Sequence, residues 1–225
     1  MPEPRYLEFT IRDDLGDKMV FIAGPRQVGK TTLARGILAD AKSSLYLNWD
    51  NREHRKEIRA ARWPGGKALV VLDEIHKWRG WKGWLKGEFD EHRDRIRFLV
   101  TGSARMDVYR RGGDSLQGRY HHYRLHPFSL AEVEGVRRSE PTAPFSELPV
   151  PADAGRETLD RLMANGGFPE PFLSGSTRTH RRWQKERLDR FFREDVRDLE
   201  TVRELSSLQL LAEVLPARVG SLLSL

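Results

Sequence analysis

The chain of 225 residues contains no cysteine, which excludes disulfides, thiolate metal sites and thiol catalysis. It also lacks any apolar run as long as a transmembrane helix. Its first residues, MPEPRYLEFTIRDD, include acidic side chains and have no apolar segment typical of a secretory signal. We therefore expect a cytoplasmic protein with no membrane partner.

Acidic residues are the scarcer charged class, because 33 Asp and Glu stand against 39 Lys and Arg and leave a formal net charge of +6. A basic balance is typical of chains that bind nucleic acid. Here the basic residues are interspersed with acids rather than gathered in one tail. A DNA partner and a simple abundance of solvated arginine are both open interpretations.

The stretch VFIAGPRQVGKTT carries the most specific signal in the chain, since it matches the phosphate loop G-x-x-x-x-G-K-[ST], the Walker A motif. Its glycines let the backbone curl with N–H groups inward, and the helix that follows presents its amino terminus to an anion. Lys30 is expected to reach the β- and γ-phosphates, and the Thr31 hydroxyl to bind Mg²⁺. A glycine-rich turn with a stray lysine is the alternative. The predicted nucleotide-binding residues here are Gly24, Pro25, Arg26, Gln27, Val28, Gly29, Lys30, Thr31 and Thr32.

A second apolar run, ALVVL, has the length of a strand buried on both faces and ends at Asp73-Glu74, the Walker B pattern. The carboxyl ends of parallel strands meet at one edge of a sheet. Asp73 is therefore expected beside the phosphate loop, where it would join Thr31 in holding Mg²⁺. Glu74 is expected to polarise the water that attacks the γ-phosphate. A helix amino-terminal cap formed by the two acids is an alternative that can hold at the same time.

Two later positions are candidates for contact with the phosphates. A predicted strand over residues 96–100 leads into Thr101-Gly102-Ser103, where a hydroxyl could touch the γ-phosphate or the attacking water; a helix cap is the alternative. Arg119 precedes a predicted strand over residues 120–125. An arginine there can stabilise the transferring phosphoryl group, either in its own chain or in a neighbouring subunit.

The remaining segments give a coarse outline of the chain. Residues 1–18 are expected to form a lead-in with a helix from Arg5, and Ser129 with Glu132 fits a capping box. Prolines between residues 139 and 154 indicate a linker, and helices are predicted over 158–165, 183–202 and 205–215. Trp78, Trp81, Leu85 and Phe89 recur at steps of three and four residues, which predicts one face of a helix. Packing inside the protein is the favoured interpretation of this face, and stacking on single-stranded nucleic acid is the alternative.

Six motifs follow one another in a fixed order. They are GPRQVGKTT at Gly24–Thr32, DEIH at Asp73–His76, TGS at Thr101–Ser103, SLQGR at Ser115–Arg119, PFS at Pro127–Ser129 and GGFPE at Gly166–Glu170. With this set the chain resembles the AAA+ ATPases, specifically a poorly characterised prokaryotic group. The resemblance covers nearly the whole chain.

The resemblance implies an α/β P-loop NTPase fold whose five-stranded parallel sheet, in the order 5-1-4-3-2, is flanked by helices. It implies a nucleotide-binding core over residues 1–137, a proline-rich linker over 138–156 and a small helical lid over 157–182. The first helices of a winged-helix-like domain would occupy 183–225, and that domain is expected to continue past the last residue.

The resemblance also assigns roles. It implies Thr101 or Ser103 as the sensor, Arg119 as the arginine finger, and the turn that contains Pro169 beside the nucleotide base. It identifies no sensor-two arginine, for which Arg156 and Arg161 are candidates.

The predicted function is binding of ATP with Mg²⁺ and hydrolysis to ADP and phosphate, which drives a conformational or assembly change in a homo-oligomer. The alternative is an ATP-dependent switch or DNA-binding regulator with little turnover, whose DNA or protein partner binds the C-terminal region. A small-molecule phosphotransferase is a third reading, which the Asp-Glu pair and the Gly-Arg before the fifth strand disfavour.

Overall fold

The computed structural model describes residues 5–103, 116–135, 155–192, 205–218 and 220. The strands are β1 (Met19–Ala23), β2 (Ser44–Asn48), β3 (Ala68–Asp73), β4 (Ile96–Thr101) and β5 (Tyr120–Arg124). The helices are α1 (Glu8–Asp14), α2 (Lys30–Ala39), α3 (Arg52–Ala60), α4 (Trp81–His92), α5 (Leu130–Val133), α6 (Arg156–Asn165), α7 (Pro169–Ser174), α8 (Thr177–Arg190) and α9 (Leu205–Val214). Short 3₁₀ helices lie at Ile75–Lys77 and Leu215–Arg218.

The five strands form one sheet in the order β2-β3-β4-β1-β5, and every neighbouring pair is parallel. Read from the other edge this is 5-1-4-3-2, so the predicted fold class and strand order are confirmed. The central strands are almost continuously apolar, because each parallel strand is covered by helices on both faces. All five residues of β1 and all six of β3 are buried.

The core consists of two layers, one on each face of the sheet. Alternate residues of β1 divide between them: Met19 and Phe21 belong to one layer, and Val20 and Ile22 to the other. Helices α3 and α4 complete the first layer, whereas α1 and α2 complete the second.

Helix α4 buries the predicted packing face. Trp81, Leu85 and Phe89 are buried in the first core layer, and the half-buried Trp78 packs against them from the preceding turn. The packing interpretation of this face is therefore confirmed. The ring of Trp78 stacks on that of Trp49 with centroids 5.0 Å apart, so its face is already covered within the chain.

The helices near the C-terminus differ partly from the prediction. Helix α8 begins at Thr177 rather than at Trp183, because Ser176 caps it by accepting a hydrogen bond from the Thr179 N–H at 3.3 Å. Helix α9 ends at Val214, one residue before the predicted end, and Pro216 lies in the 3₁₀ helix that follows. The rest of the long predicted helix, beyond residue 192, and the proline-rich segment at 139–154 lie outside the described residues.

The chain divides into two compact units, Met1–Glu170 and Pro171–Leu225. The first contains the sheet and its flanking helices. In the second, α8 carries the buried Trp183, whose ring lies 5.2 Å from the Arg187 guanidinium. The predicted boundaries at residues 137, 156 and 182 stay a prediction.

Candidate nucleotide-binding site

The carboxyl ends of β1, β3 and β4 lie together at one edge of the sheet. Asp73, the last residue of β3, is in register with Thr101 at the end of β4 and with Asn48 at the end of β2. The loop of residues 24–29 leaves β1 at this same edge. Polar groups that are distant in the sequence therefore meet where ligands bind in open α/β sheets.

The loop after β1 depends on two of its glycines. A Cβ on Gly24 would lie 2.5 Å from the carbonyl oxygen of Leu125, so no larger residue fits there. Gly29 has φ +97°, which favours glycine, and directly precedes α2. Between them Gln27 adopts φ +63° with a side chain present. These turns produce the tight curl that a phosphate loop requires.

Lys30 is the first residue of α2 and is buried. Its ammonium donates hydrogen bonds to the carbonyl oxygens of Gly24 and Pro25, at 3.0 and 2.9 Å. The lysine thus spans the loop from its end back to its beginning. In the surrounding loop Val28 is buried, Pro25 and Arg26 are half-buried, and Thr32 is exposed in the first turn of α2.

Asp73 is only 3% exposed, and hydroxyl groups surround its carboxylate. Thr31 and Tyr46 donate to Oδ2 at 3.0 and 2.6 Å, and Thr101 donates to Oδ1 at 2.5 Å. The Asn48 amide lies 3.5 Å from Oδ2. Burial, together with the bond to Asp73, raises the pKa of Tyr46, which therefore acts as a neutral donor. The predicted pair Thr31 and Asp73 is brought into contact.

Glu74 adopts φ +58°, a left-handed conformation that is strained for a residue with a side chain. Its carboxylate lies 3.3 Å from the Lys77 ammonium and 3.7 Å from His76 Nε2. Lys77 also contacts Asp50 at 2.6 Å. The turn thus aims Glu74 away from the strand direction and into a small group of charged and polar side chains.

His76 connects Glu74 to Ser103, because its Nε2 also lies 3.3 Å from Ser103 Oγ. Burial lowers the pKa of His76, against the opposing effect of the Glu74 charge. The imidazole is therefore neutral near pH 7. Thr101 is placed differently from Ser103, since it is fully buried and its hydroxyl is committed to Asp73.

The turn that contains Pro169 lies beside the phosphate loop. Gly167 is tied to Phe128 by a backbone hydrogen bond of 2.6 Å, and a Cβ on Gly167 would lie 2.4 Å from the Phe128 carbonyl oxygen. A Cβ on Gly29 would lie 3.8 Å from Pro169 Cγ. Pro169 is therefore close to the loop, as the prediction of a base-side contact requires.

Arg119 lies at the amino ends of the strands, on the opposite side of the sheet from the phosphate loop. It precedes Tyr120, which pairs with Met19 at the start of β1, whereas the phosphate loop leaves from the end of β1. The five residues of β1 separate the two by roughly 17 Å at the rise of a strand. Its guanidinium instead makes a two-bond contact with Asp90 of α4, at 2.7 and 2.9 Å. Arg119 cannot reach the loop of its own chain.

Sequence reasoning missed several residues that complete this edge. The register of β2 on β3 could have identified Tyr46 and Asn48, since both lie on the strand beside Asp73. The predicted capping box is only partly formed. Ser129 accepts from the Glu132 N–H at 3.2 Å, but the Glu132 carboxylate turns to Arg5 instead of back to the cap. No local pattern pointed to Arg5.

A family model described as "AAA domain" matches residues 16–134, which is more than half of the chain. The chain belongs to this AAA domain family. It therefore has a nucleotide-binding domain of the ATPase type. A second model, "Domain of unknown function (DUF8612)", matches residues 156–225 of the same AAA-domain chain.

Two curated relatives resemble the AAA-domain chain over 185 residues at 27% identity: the uncharacterized proteins Mb2031c of Mycobacterium bovis and Rv2008c of Mycobacterium tuberculosis. The match covers 80% of this chain but only 36% of each relative, so the chain spans about a third of their length.

Among solved structures, the Walker-type ATPase PABY2304 of Pyrococcus abyssi is similar with a TM-score of 0.51 and 14% identity, over 92% of this chain and 77% of that one. The ORC1 protein of Aeropyrum pernix, solved in complex with DNA, is similar with a TM-score of 0.46 and 15% identity, over 60% of this chain and 48% of that one. At 14% identity, the likeness to the Pyrococcus abyssi ATPase shows only that the two chains share a fold. Within the part of the AAA-domain chain that the structure describes, no helix is long and apolar enough to cross a membrane.

Proposed function

We propose that this chain binds ATP together with Mg²⁺ and hydrolyses it to ADP and phosphate. The observation that carries the proposal is the hydrogen bond of 3.0 Å between Thr31 of the phosphate loop and Asp73 at the end of β3. It joins the two halves of a nucleotide and metal site across 42 positions of sequence. Family membership supports the same activity.

The oxygen donors fit a magnesium site. Mg²⁺ prefers oxygen ligands at about 2.1 Å in an octahedron, whose adjacent ligands are then about 3.0 Å apart. The Thr31 hydroxyl and the Asp73 carboxylate have this separation. These two residues would hold the ion, which supplies charge that offsets the negative oxygens of the β- and γ-phosphates.

The chemical step requires a water oxygen to form a bond to the γ-phosphorus while the bond to the bridging oxygen of ADP breaks. Glu74 would accept the proton of that water, and Lys30 would exchange its two loop carbonyls for phosphate oxygens. Of the two hydroxyls at the end of β4, the position of Ser103 beside His76 supports it as the phosphate sensor. Thr101 would act as a positioning residue for Asp73.

For Arg119 we propose a role in a neighbouring copy of the chain. Its distance from its own phosphate loop and its partly exposed position at the amino ends of the strands support an action between subunits. An arginine supplied in this way is worth about 10³ to 10⁵ in rate. The ion pair with Asp90 is partly open to solvent, with side chains 31% and 44% exposed, so a phosphate oxygen could replace the Asp90 carboxylate.

A slow switch is the second candidate, and the environment of Glu74 favours it. The proposed base is paired with Lys77, and Lys77 is itself held by Asp50. Turnover then depends on release of Glu74, and bound ATP could set a conformation for long periods. A DNA or protein partner at the C-terminal region and a cytoplasmic location stay predictions.

The test measures Mg²⁺-dependent release of phosphate against protein concentration. Wild type should gain turnover per chain as concentration rises, Lys30→Ala should lose nucleotide binding, and Glu74→Gln should bind without turnover. Arg119→Ala should bind ATP but lose the concentration-dependent gain. The matched control is Arg97→Ala, an exposed arginine at the start of β4 on the same edge as Arg119.

Three outcomes would decide between the candidates. Tight ATP binding with almost no turnover at any concentration would favour the switch. Equal binding by wild type and Lys30→Ala would contradict the nucleotide site itself. Full turnover by Glu74→Gln would remove Glu74 as the base.

A further inference from the structure

Arg5, in the segment before α1, contacts three separate parts of the first unit. Its Nε donates to Glu132 Oε1 at 2.5 Å, its Nη1 to the Val28 carbonyl at 2.7 Å, and its Nη2 to the His126 carbonyl at 2.6 Å. The guanidinium also lies 4.7 Å from the centre of the Phe128 ring. One side chain therefore joins the phosphate loop, the exit of β5 and helix α5.

The ion pair between Arg5 and Glu132 is largely buried. The side chains of Arg5 and Glu132 are only 9% and 6% exposed. The Tyr6 N–H donates to the same Glu132 oxygen at 3.1 Å, so the carboxylate is further satisfied. Burying such an ion pair is costly, so its presence alone is weak evidence that it stabilises the fold. The pair instead supplies a fixed geometry, in which the planar guanidinium holds three acceptors at once.

The contact with Val28 acts on the phosphate loop through one peptide unit. A trans peptide is planar, so the N–H of Gly29 points the opposite way from the carbonyl of Val28. Because Arg5 holds that carbonyl, it also fixes the direction of the Gly29 N–H. Gly29, at φ +97°, has no side chain to restrict its backbone, so this peptide unit could rotate if Arg5 did not hold it.

Arg5 also borders the same glycine directly. A Cβ on Gly29 would lie 3.2 Å from Arg5 Nη1. Arg5 and Pro169 therefore flank the last glycine of the phosphate loop. This places the N-terminal segment against the loop in the region where the base is expected.

We propose that Arg5 is a positioning residue that holds the phosphate loop in its nucleotide-binding conformation. This inference rests on the proposed nucleotide site and names a residue that supports it without touching the phosphates. Lys30 and the loop N–H groups would bind the phosphates, and Arg5 would orient one of those N–H groups.

The test measures binding of MgADP to the full chain by calorimetry, beside the thermal unfolding midpoint of each variant. Arg5→Lys keeps a charge for Glu132 but replaces the planar fork with a single ammonium. The double variant Arg5→Met/Glu132→Gln removes both charges, and the glutamine retains an oxygen for the Tyr6 N–H. The matched control is Tyr6→Phe, which loses the bond to the Arg124 carbonyl at 3.0 Å and the bond from the His126 N–H at 3.4 Å, and leaves the contact of Arg5 with Val28 in place.

Arg5→Lys and the double variant should bind MgADP about tenfold more weakly, at the lower end of the effect of losing a hydrogen bond to a charged group. Tyr6→Phe should bind as wild type does. Guanidinium ion added to Arg5→Ala should restore part of the affinity, which a lost packing contact alone would not allow.

Wild-type affinity in a folded Arg5→Lys protein would overturn the inference. An equal loss of affinity in Tyr6→Phe would also overturn it, because the segment would then act only through stability. Failure of the proposed function looks different: wild type would not bind MgADP, or Lys30→Ala would bind it equally well.

Discussion

Removal of the single hydroxyl of Tyr46 tests how Asp73 is held. The hydroxyl donates to Asp73 Oδ2 at 2.6 Å, and the Arg35 guanidinium lies over the ring at 4.6 Å. Tyr46→Phe keeps the ring and its cation contact but withdraws one donor from a carboxylate that is 3% exposed. Thr31 and Thr101 still donate to Asp73, so the carboxylate does not become isolated.

The expected loss of stability follows from these contacts. A hydrogen bond to a charged group contributes about 1.5 to 3 kcal/mol. Because Asp73 keeps two hydroxyl donors, and because Tyr46 is only half-buried, we expect the lower end, about 1.5 kcal/mol. With a urea dependence of about 2 kcal/mol per molar, the unfolding midpoint should fall by about 0.7 M without a change in slope.

The assay is urea unfolding without nucleotide, followed by MgADP binding at a series of Mg²⁺ concentrations. Because a partner of a metal ligand commonly contributes ten- to a hundredfold to metal affinity, the Mg²⁺ requirement of Tyr46→Phe should rise about tenfold. The control is Tyr123→Phe, since Tyr123 donates to Asp14 rather than to Asp73, and burial with that bond raises its pKa to about 12.

Tyr123→Phe should lose stability and keep the wild-type Mg²⁺ requirement. The reasoning is refuted if Tyr46→Phe unfolds at the wild-type urea concentration. It is refuted equally if both phenylalanine variants shift the Mg²⁺ requirement by the same factor.

Three further predictions concern single positions. Gly24→Ala should destabilise the fold by about 1–3 kcal/mol in a thermal melt, since its Cβ meets the Leu125 carbonyl, whereas Gly36→Ala in the open middle of α2 should stabilise it by about 1 kcal/mol. Glu74→Gly and Glu74→Ala both remove the carboxylate, but only glycine adopts φ +58° without strain. The glycine variant should therefore be more stable by about 1 kcal/mol in urea unfolding, and equal midpoints would contradict strain at this turn. The pKa of His76 is lowered by burial, so the unfolded chain takes up this proton first. The free energy of unfolding should then fall as pH drops below about 6.5, and His76→Gln should flatten that slope.

The sheet could be predicted because its information is local. A parallel strand covered on both faces must be apolar along its whole length, and ALVVL meets that demand within a few residues. The phosphate loop is likewise contained in one stretch, with glycines where the backbone needs them. Two such strands that end in chemistry-bearing residues then define one edge of the sheet, and Thr31 meets Asp73 there.

The supporting contacts could not be predicted in this way because they are long-range. Arg5 and Glu132 are 127 positions apart, and Arg5 is one of 39 basic residues in the chain. Nothing in its neighbours distinguishes it from a solvated arginine. The position of Arg119, by contrast, does follow from the predicted parallel sheet, because a residue that precedes a parallel strand lies at the amino ends of the strands, opposite the phosphate loop.

Arg119 and Glu74, the two charged side chains proposed to act on the γ-phosphate, both have partners inside the chain. The side chains of Arg119 and Asp90 are 31% and 44% exposed, so solvent and salt weaken an attraction that two short bonds otherwise favour. Glu74 is less exposed, and its partner Lys77 is anchored a second time by Asp50. On the proposed function, binding of nucleotide leaves Glu74 paired with Lys77, so the base becomes available only when this ion pair opens, and that opening would limit turnover.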